Sequence, residues 1–223
     1  MPFADSPQRE FAAATEWAAG RALDALTGAE GAALLAAAPE PQAMLAADRV
    51  LGPDVFAPGL LTGSPTPPET AARVAEAFLL FPADWSEVHA WRDLATAELL
   101  GRAGHDVPVA DPPPPPGPDE SGWQRWSVLM AQLSGLALPT LDGPVQQLAR
   151  EHVLALARGA SRSMLRRDHR TATRLARWLA WLQSTGTPPL LELRPLLRHL
   201  ALTGDGSART ALDLAVADRL AAA

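Results

Sequence analysis

Apolar residues recur along most of this chain at the three- and four-residue spacing of amphipathic helices, and no stretch alternates with the period of two that marks a strand. Ser6-Pro7 supplies a cap and first-turn proline for a helix to about Leu26, which Gly28 stops. Its apolar face (Phe11, Ala14, Ala18, Ala22, Ala25, Leu26) is mostly small, so a neighbouring helix can come close. Short helices are expected over 29–38 and 41–51, separated by Pro39 and Pro41. The proline and glycine density of 52–68 then predicts an ordered loop anchored by Phe56 and Leu60. A helix over 67–81 buries Val74, Phe78 and Phe81, and Pro82 ends it. Asp84 and Glu87 have capping-box spacing for a helix to about Ala103.

In the second half, 121–134 aligns Trp123, Trp126, Leu129, Met130 and Leu133, and Asp142-Gly143-Pro144 opens a helix over 144–158 that Gly159 ends. The longest helix expected runs from Ser161 to Gln183, about 35 Å at about 1.5 Å per residue, and reads as a central beam. Met164, Leu165, Ala172, Leu175, Leu179 and Leu182 fall on one side of it, and Arg162, Arg166, Arg170, Arg174 and Arg177 on the other. Asp168 interrupts the apolar arc, where a lone carboxylate would be costly to desolvate. Thr187-Pro188 predicts a further helix divided at Pro195, and a last one runs from Ser207 to about Leu220.

The expected fold is therefore all-α: an irregular helical bundle or a short α-solenoid of antiparallel helix pairs, with a polyproline connector. Residues 107–118, VPVADPPPPPGP, cannot enter a helix and predict an extended strap between an acidic lobe at 1–106 and a basic lobe at 119–223, with one continuous domain as the alternative. Such a strap is a semi-rigid connector or, in a sharper reading, a ligand for a proline-reading domain. Charge divides in a similar way. Residues 1–149 hold 7 Arg against 19 acids, net −12, and residues 150–223 hold 12 Arg against 6 acids, net +6. This polarity can dock the halves together or present a basic face to an anionic partner.

The 223 residues, 48% hydrophobic, suffice for a sizeable core. Lys, Asn, Ile, Tyr and Cys are absent, a pattern of GC-rich bacterial coding that weakens arguments from the exclusive use of Arg. Without cysteine there is no disulfide, thiolate metal site or cysteine nucleophile. No signal peptide or membrane span is visible, so the expected location is cytoplasmic, with no membrane partner.

Phosphate-loop, dinucleotide-binding, zinc-protease and serine-hydrolase motifs are missing. Polar residues on apolar arcs remain. Arg92, His89 and Thr96 share an arc with Trp85 and Val88, His152 sits between Leu148 and Leu156, and Asp168 interrupts the long helix. They suggest a pocket in which Asp168 orients His152 as a catalytic base while Arg92, with His89 and Trp85, binds an anionic group of a small substrate. A structural ion pair or hydrogen bond fixing helix register accounts for the same residues. His89 with Asp93, and His105-Asp106, lack the repeated spacing of a di-metal bundle, so no metal or cofactor is expected.

The leading functional expectation is a non-catalytic helical adaptor that binds another protein through spare tryptophans, Trp17 and Trp181. Trp91 also projects off its main apolar arc. A small-molecule enzyme or ligand-binding protein with an inter-helix pocket is the alternative. Nucleic-acid binding along the Arg162–Arg177 stripe is the least favoured, because the total charge is −6.

Overall fold

A computed structural model describes residues 6–29, 38–82, 86–118 and 122–223. The helix expected over 29–38, and Asp84 and Trp85, lie outside the described residues or almost wholly so. Among the described residues the chain is all-helical, with helices packed against one another and no strand. None of these helices is long and apolar enough to cross a membrane. The chain divides into two compact units, 1–111 and 112–223, at a point within the proline-rich segment.

The first unit contains α1 (Ser6–Thr27), α2 (Pro41–Leu51), α3 (Ala57–Thr62), α4 (Pro68–Leu80) and α5 (Glu87–Arg102). Gly28, at φ 70°, ends α1 by donating its N–H to the Asp24 carbonyl. The small face of α1 is where α2 and α3 pack: Ala14, Ala18, Ala19 and Ala22 are buried with Leu26, whereas Phe11 and Ala25 are exposed, contrary to expectation. The segment expected as a loop over 52–68 holds a 3-10 turn, Gly52–Val55, and α3. Phe56 is buried between them, as the anchoring role requires, while Leu60 is only half-buried. Arg49 of α2 joins three helices. It forms a bidentate ion pair with buried Asp93 of α5, lies over the Phe78 ring of α4 at 4.1 Å, and donates from Nε to the Phe81 carbonyl at 3.0 Å.

The second unit contains α6 (Trp123–Gln132), α7 (Pro144–Glu151), α8 (Val153–Leu165), α9 (His169–Ser184), α10 (Leu193–Thr203) and α11 (Ala208–Ala222). Helix α9 packs against α6, α8, α10 and α11, so this unit is a bundle around one helix rather than a linear stack. Every residue from Leu175 to Leu182 is buried. In the strap, Pro112, Pro115 and Pro118 are half-buried and the residues between them exposed, the threefold period of a polyproline helix with one edge packed. Near its end, Gly117 rests beside Leu148 and His152.

The structure corrects the expected long helix 161–183. Helix α8 ends at Leu165, and Arg167 takes the left-handed conformation at φ 57°. The Arg167 N–H bonds the Met164 carbonyl and the Asp168 N–H bonds the Ser163 carbonyl, the paired bonds of a Schellman terminus. Asp168 then caps α9, its carboxylate accepting from the Thr171 N–H at 3.1 Å. It is exposed, so no buried carboxylate interrupts the helix. The central helix is 16 residues long, about 24 Å.

The expected helix 144–158 is broken at His152 (φ −122°, ψ 38°), and Gly159 lies inside α8 instead of ending a helix. A Cβ at Gly159 would fall 2.5 Å from the Ser127 Cβ and 3.1 Å from Leu175 Cδ1, so glycine permits the close approach of α8 to α6 and α9. Residues 187–192 are not helical, and Pro195 sits in the first turn of α10 rather than dividing a helix.

Residues 133–138, after α6, are wholly buried although only a single 3-10 turn lies within them. Side chains supply the missing donors. Gln146 Nε2 bonds the Leu136 carbonyl at 2.9 Å and Trp181 Nε1 the Leu138 carbonyl at 3.1 Å, while just before the segment Trp178 Nε1 bonds the Met130 carbonyl of α6 at 2.7 Å. Arg177, fully buried, reaches the Gly135 and Ala137 carbonyls and pairs with Asp213 of α11 at 2.8 Å. Arg174 Nε and Ser134 Oγ also meet the Asp213 carboxylate.

Asp213→Ala leaves Arg177 buried without its carboxylate and is expected to cost about 3–5 kcal/mol. Asp168→Ala removes only an exposed cap and should cost about 1 kcal/mol. Urea unfolding followed by tryptophan fluorescence compares them, and equal costs would show that the pair does not hold the segment.

Candidate functional site

The first unit contains a cleft of about 400 Å³ between α1, α2, α3 and the start of α4. This is within the usual range for small-molecule sites. Its floor is apolar: Ala18, Ala22, Met44, Leu51 and Val55. The small side chains of α1 that admit α2 also leave space above the floor. One wall is the segment Gly63–Pro67, folded back on α3. A Cβ at Gly59 would sit 2.8 Å from the Ser64 carbonyl oxygen and 3.0 Å from Thr66 Oγ1, so the wall can stand this close to α3 only over a glycine. Gly63, at φ 74°, makes the turn, and Thr62 Oγ1 bonds the Pro58 carbonyl at 2.8 Å. Pro65 and Pro67 stiffen the remainder.

The polar groups converge at the side formed by α2 and α4. Asp48 of α2 is 2% exposed, and its carboxylate accepts from Nε of Arg73 on α4. Among the described residues no acceptor meets the two terminal nitrogens of Arg73, and this side chain is 38% exposed. Arg73 therefore lines the cleft with one edge of its guanidinium held and the other open. On the α1 side, the Arg21 guanidinium lies over the Trp17 ring, 5.6 Å from its centroid, and both side chains line the cleft. Thr66, Glu69 and Thr70 complete the polar lining.

Burial raises the Asp48 pKa above its ordinary 3.8, and the hydrogen bond and charge of Arg73 offset only part of this. Among the described residues Asp48 meets one half-exposed arginine, whereas the carboxylate of Asp213 meets two arginines and a serine.

Comparison with protein-family models, curated proteins and solved structures finds no match. The site is therefore read from its own geometry.

The structure places the sequence-derived candidates elsewhere. Arg92 and His89 do come together, lining a smaller cavity of about 130 Å³ with Arg49, Val50, Phe81, Pro82 and Asp93. Arg92 gives a hydrogen bond to the Val50 carbonyl, and both Asp93 oxygens are taken by Arg49, so Asp93 is not open for a metal shared with His89. Among the described residues no three acidic or histidine side chains cluster as metal ligands would. His152 lies at the break between α7 and α8, its ring edge-on to Trp126 with centroids 5.6 Å apart. Asp168 serves the Thr171 N–H rather than orienting His152.

The expected interaction surface also changes. Trp181 and Trp91 are buried, and Trp17 is half-buried with its indole nitrogen sealed from solvent and without a hydrogen-bond partner among the described residues. The arginine stripe does not exist as one surface. Arg166 and Arg170 are exposed, Arg162 and Arg174 are half-buried, and Arg177 is fully inside. The turn at Arg167 breaks the helical phase between Arg166 and Arg170, and α9, enclosed by four helices, has no side left to expose Arg177.

Sequence reasoning missed Asp48 and Arg73. The signal for Asp48 was present, because in MLAADRVL it lies four residues after Met44 and three before Leu51, both buried. This is the pattern of a polar residue on an apolar arc that drew attention to Asp168.

An acid with a raised folded-state pKa binds its proton more tightly when folded, so its contribution favours folding at low pH. That contribution is lost as pH rises from about 3.8 through the raised value. Asp48→Asn lacks this dependence and should gain stability relative to the parent protein over that interval. Urea midpoints for both proteins between about pH 4 and about pH 7 would show it; a constant difference would mean that Asp48 titrates as though in water.

Proposed function

We propose that this protein binds a small molecule, and that the cleft between α1, α2, α3 and α4 is where it binds. The single observation that carries the reading is the Asp48–Arg73 pair. A carboxylate buried at a cost to its ionised form holds an arginine that lines the cleft and whose terminal nitrogens meet no acceptor among the described residues. An ion pair that served only to join α2 to α4 would be expected to use the whole guanidinium, as Arg49 does with Asp93, Phe81 and Phe78 one residue along the same helix. The walls favour the same reading. The Gly63–Pro67 segment is stiffened by prolines and seated on Gly59, so the cleft has a fixed shape before a ligand arrives, which lowers the ordering cost of binding. The inter-helix pocket expected from the sequence is thus replaced by a different pocket of the same kind, built from residues of the first unit alone.

The test is a nuclear magnetic resonance titration of the ¹⁵N-labelled full chain with a set of small neutral, acidic and basic aromatic fragments. Perturbations are expected to concentrate on Trp17, Met44, Thr66, Thr70 and Arg73. Thr70→Phe, which places a ring in the cleft from the first turn of α4, should abolish them while leaving the rest of the spectrum in place. Responses centred on another part of the chain, or undiminished in Thr70→Phe, would defeat the proposal.

A further inference from the structure

We infer that the ligand of this cleft is an organic monocarboxylate with a flat apolar body, its carboxylate gripped end-on by the two terminal nitrogens of Arg73; this rests on the small-molecule reading above. The geometry of the guanidinium decides the chemistry. Its five N–H groups form a rigid planar fork. Asp48 occupies the donor at Nε, which leaves the NH1 and NH2 edge, whose two parallel N–H groups match the spacing of a carboxylate's oxygens. Asp48 is 2% exposed and sits on the inner face of α2, so the fork it holds is oriented before binding. Asp48 is a positioning residue, and Arg73 makes the contact.

The charge of the lining sets the ligand's charge. Arg21 and Arg73 are balanced by Asp48 and Glu69, leaving the cleft near neutrality. A monoanion meets one open cationic fork there. A phosphate ester would bring a second negative charge against Asp48 and Glu69 without a second fork, since the Arg21 guanidinium lies over Trp17. A cationic ligand has no strong anchor: Asp48 is covered by Arg73, and Glu69 is exposed to water. The floor sets the body. Ala18, Ala22 and Met44 present a low apolar surface beside Trp17, which suits a ring or a short branched chain better than a sugar. Thr66 and Thr70 belong to the same lining, and their hydroxyls can donate to a carboxylate.

The probes are benzoate, benzamide, benzylamine and phenyl phosphate, which share a ring and differ in the group offered to Arg73. In titrations of the ¹⁵N-labelled full chain, benzoate should bind at least about tenfold more tightly than benzamide and more tightly than the other two, shifting the Trp17 indole N–H and the Thr66 and Thr70 amides. Arg73→Gln should bring benzoate down to the level of benzamide. Arg73→Lys, which keeps a cation but loses the fork, should weaken benzoate several-fold, and it serves as a second variant should Arg73→Gln not fold. Asp48→Asn, which loses the ion pair that holds the fork, should weaken benzoate more than benzamide. If benzamide, benzylamine or phenyl phosphate binds as well as benzoate, or if Arg73→Gln and Arg73→Lys keep the preference, the carboxylate assignment is overturned while the cleft remains a ligand site. If no probe moves a cleft residue, both readings fall together.

Discussion

The fold of the second unit depends on burying a piece of chain that is barely helical. Residues 133–138 pass through the interior, where each carbonyl needs a donor that so short a 3-10 turn cannot provide. The donors come from Gln146 on α7 and from Arg177 and Trp181 on α9, and Trp178 of α9 bonds the Met130 carbonyl in α6 just before the segment. Once Arg177 is inside, its charge requires a carboxylate, and Asp213 on α11 supplies it. One buried segment thus fixes the register of α9 against α6, α7 and α11. It also explains why the helix tolerates large, polar-tipped side chains on faces that a simple bundle would fill with leucine, and why Trp178 and Trp181 can pack edge to face at 5.7 Å while Trp181 spends its only donor on the segment and Trp178 spends its own on the end of α6.

Buried aspartates are held in two ways in this protein, and the difference separates architecture from a candidate site. Asp213 is enclosed by Arg174, Arg177 and Ser134, and the guanidinium of Arg177 is used on every side. Asp93 in the first unit follows the same rule, with Arg49 saturated by a carboxylate, a carbonyl and a ring. Asp48 departs from it. Its partner, which lines a cleft, is held by one nitrogen, so the cost of desolvating the carboxylate is not recovered within the described fold. Polar groups buried without full compensation are where stability has been given up for something else.

Helical periodicity made the class of fold legible, because an all-α chain writes its pattern at every turn, and it located α2, α4, α6 and α11 closely. It failed where two helices continue in phase across a break. Met164, Ala172 and Leu175 keep their spacing through Arg167, so the apolar pattern carries no sign of the turn. The sign was in the capping chemistry of Asp168 and Thr171. The same misreading turned an exposed cap into an apparent buried carboxylate and assembled a dyad around it. Gly159 misled in the opposite direction: glycine ends helices, but it also lets helices cross closely, and only the position of Ser127 distinguishes the two uses. Trp181 and Arg177 looked exposed because a wheel assumes one wet side, and α9 has none from Leu175 to Leu182.

A polar residue on an apolar arc therefore carries information only together with the helix's limits and the number of its neighbours. At a helix end, as with Asp168, the residue caps and is bathed in water. In the middle of an enclosed helix, as with Arg177, it is bonded on all sides and serves the interior. Asp48 is neither: it lies on the inner face of a helix bordered by a cleft, buried enough to resist ionisation and joined to an arginine that is not itself enclosed. An acid in that position does little for the fold that an apolar side chain would not do better. What it does is hold a guanidinium edge still above a space the fold has left open, which is the arrangement a binding site for a small acid requires.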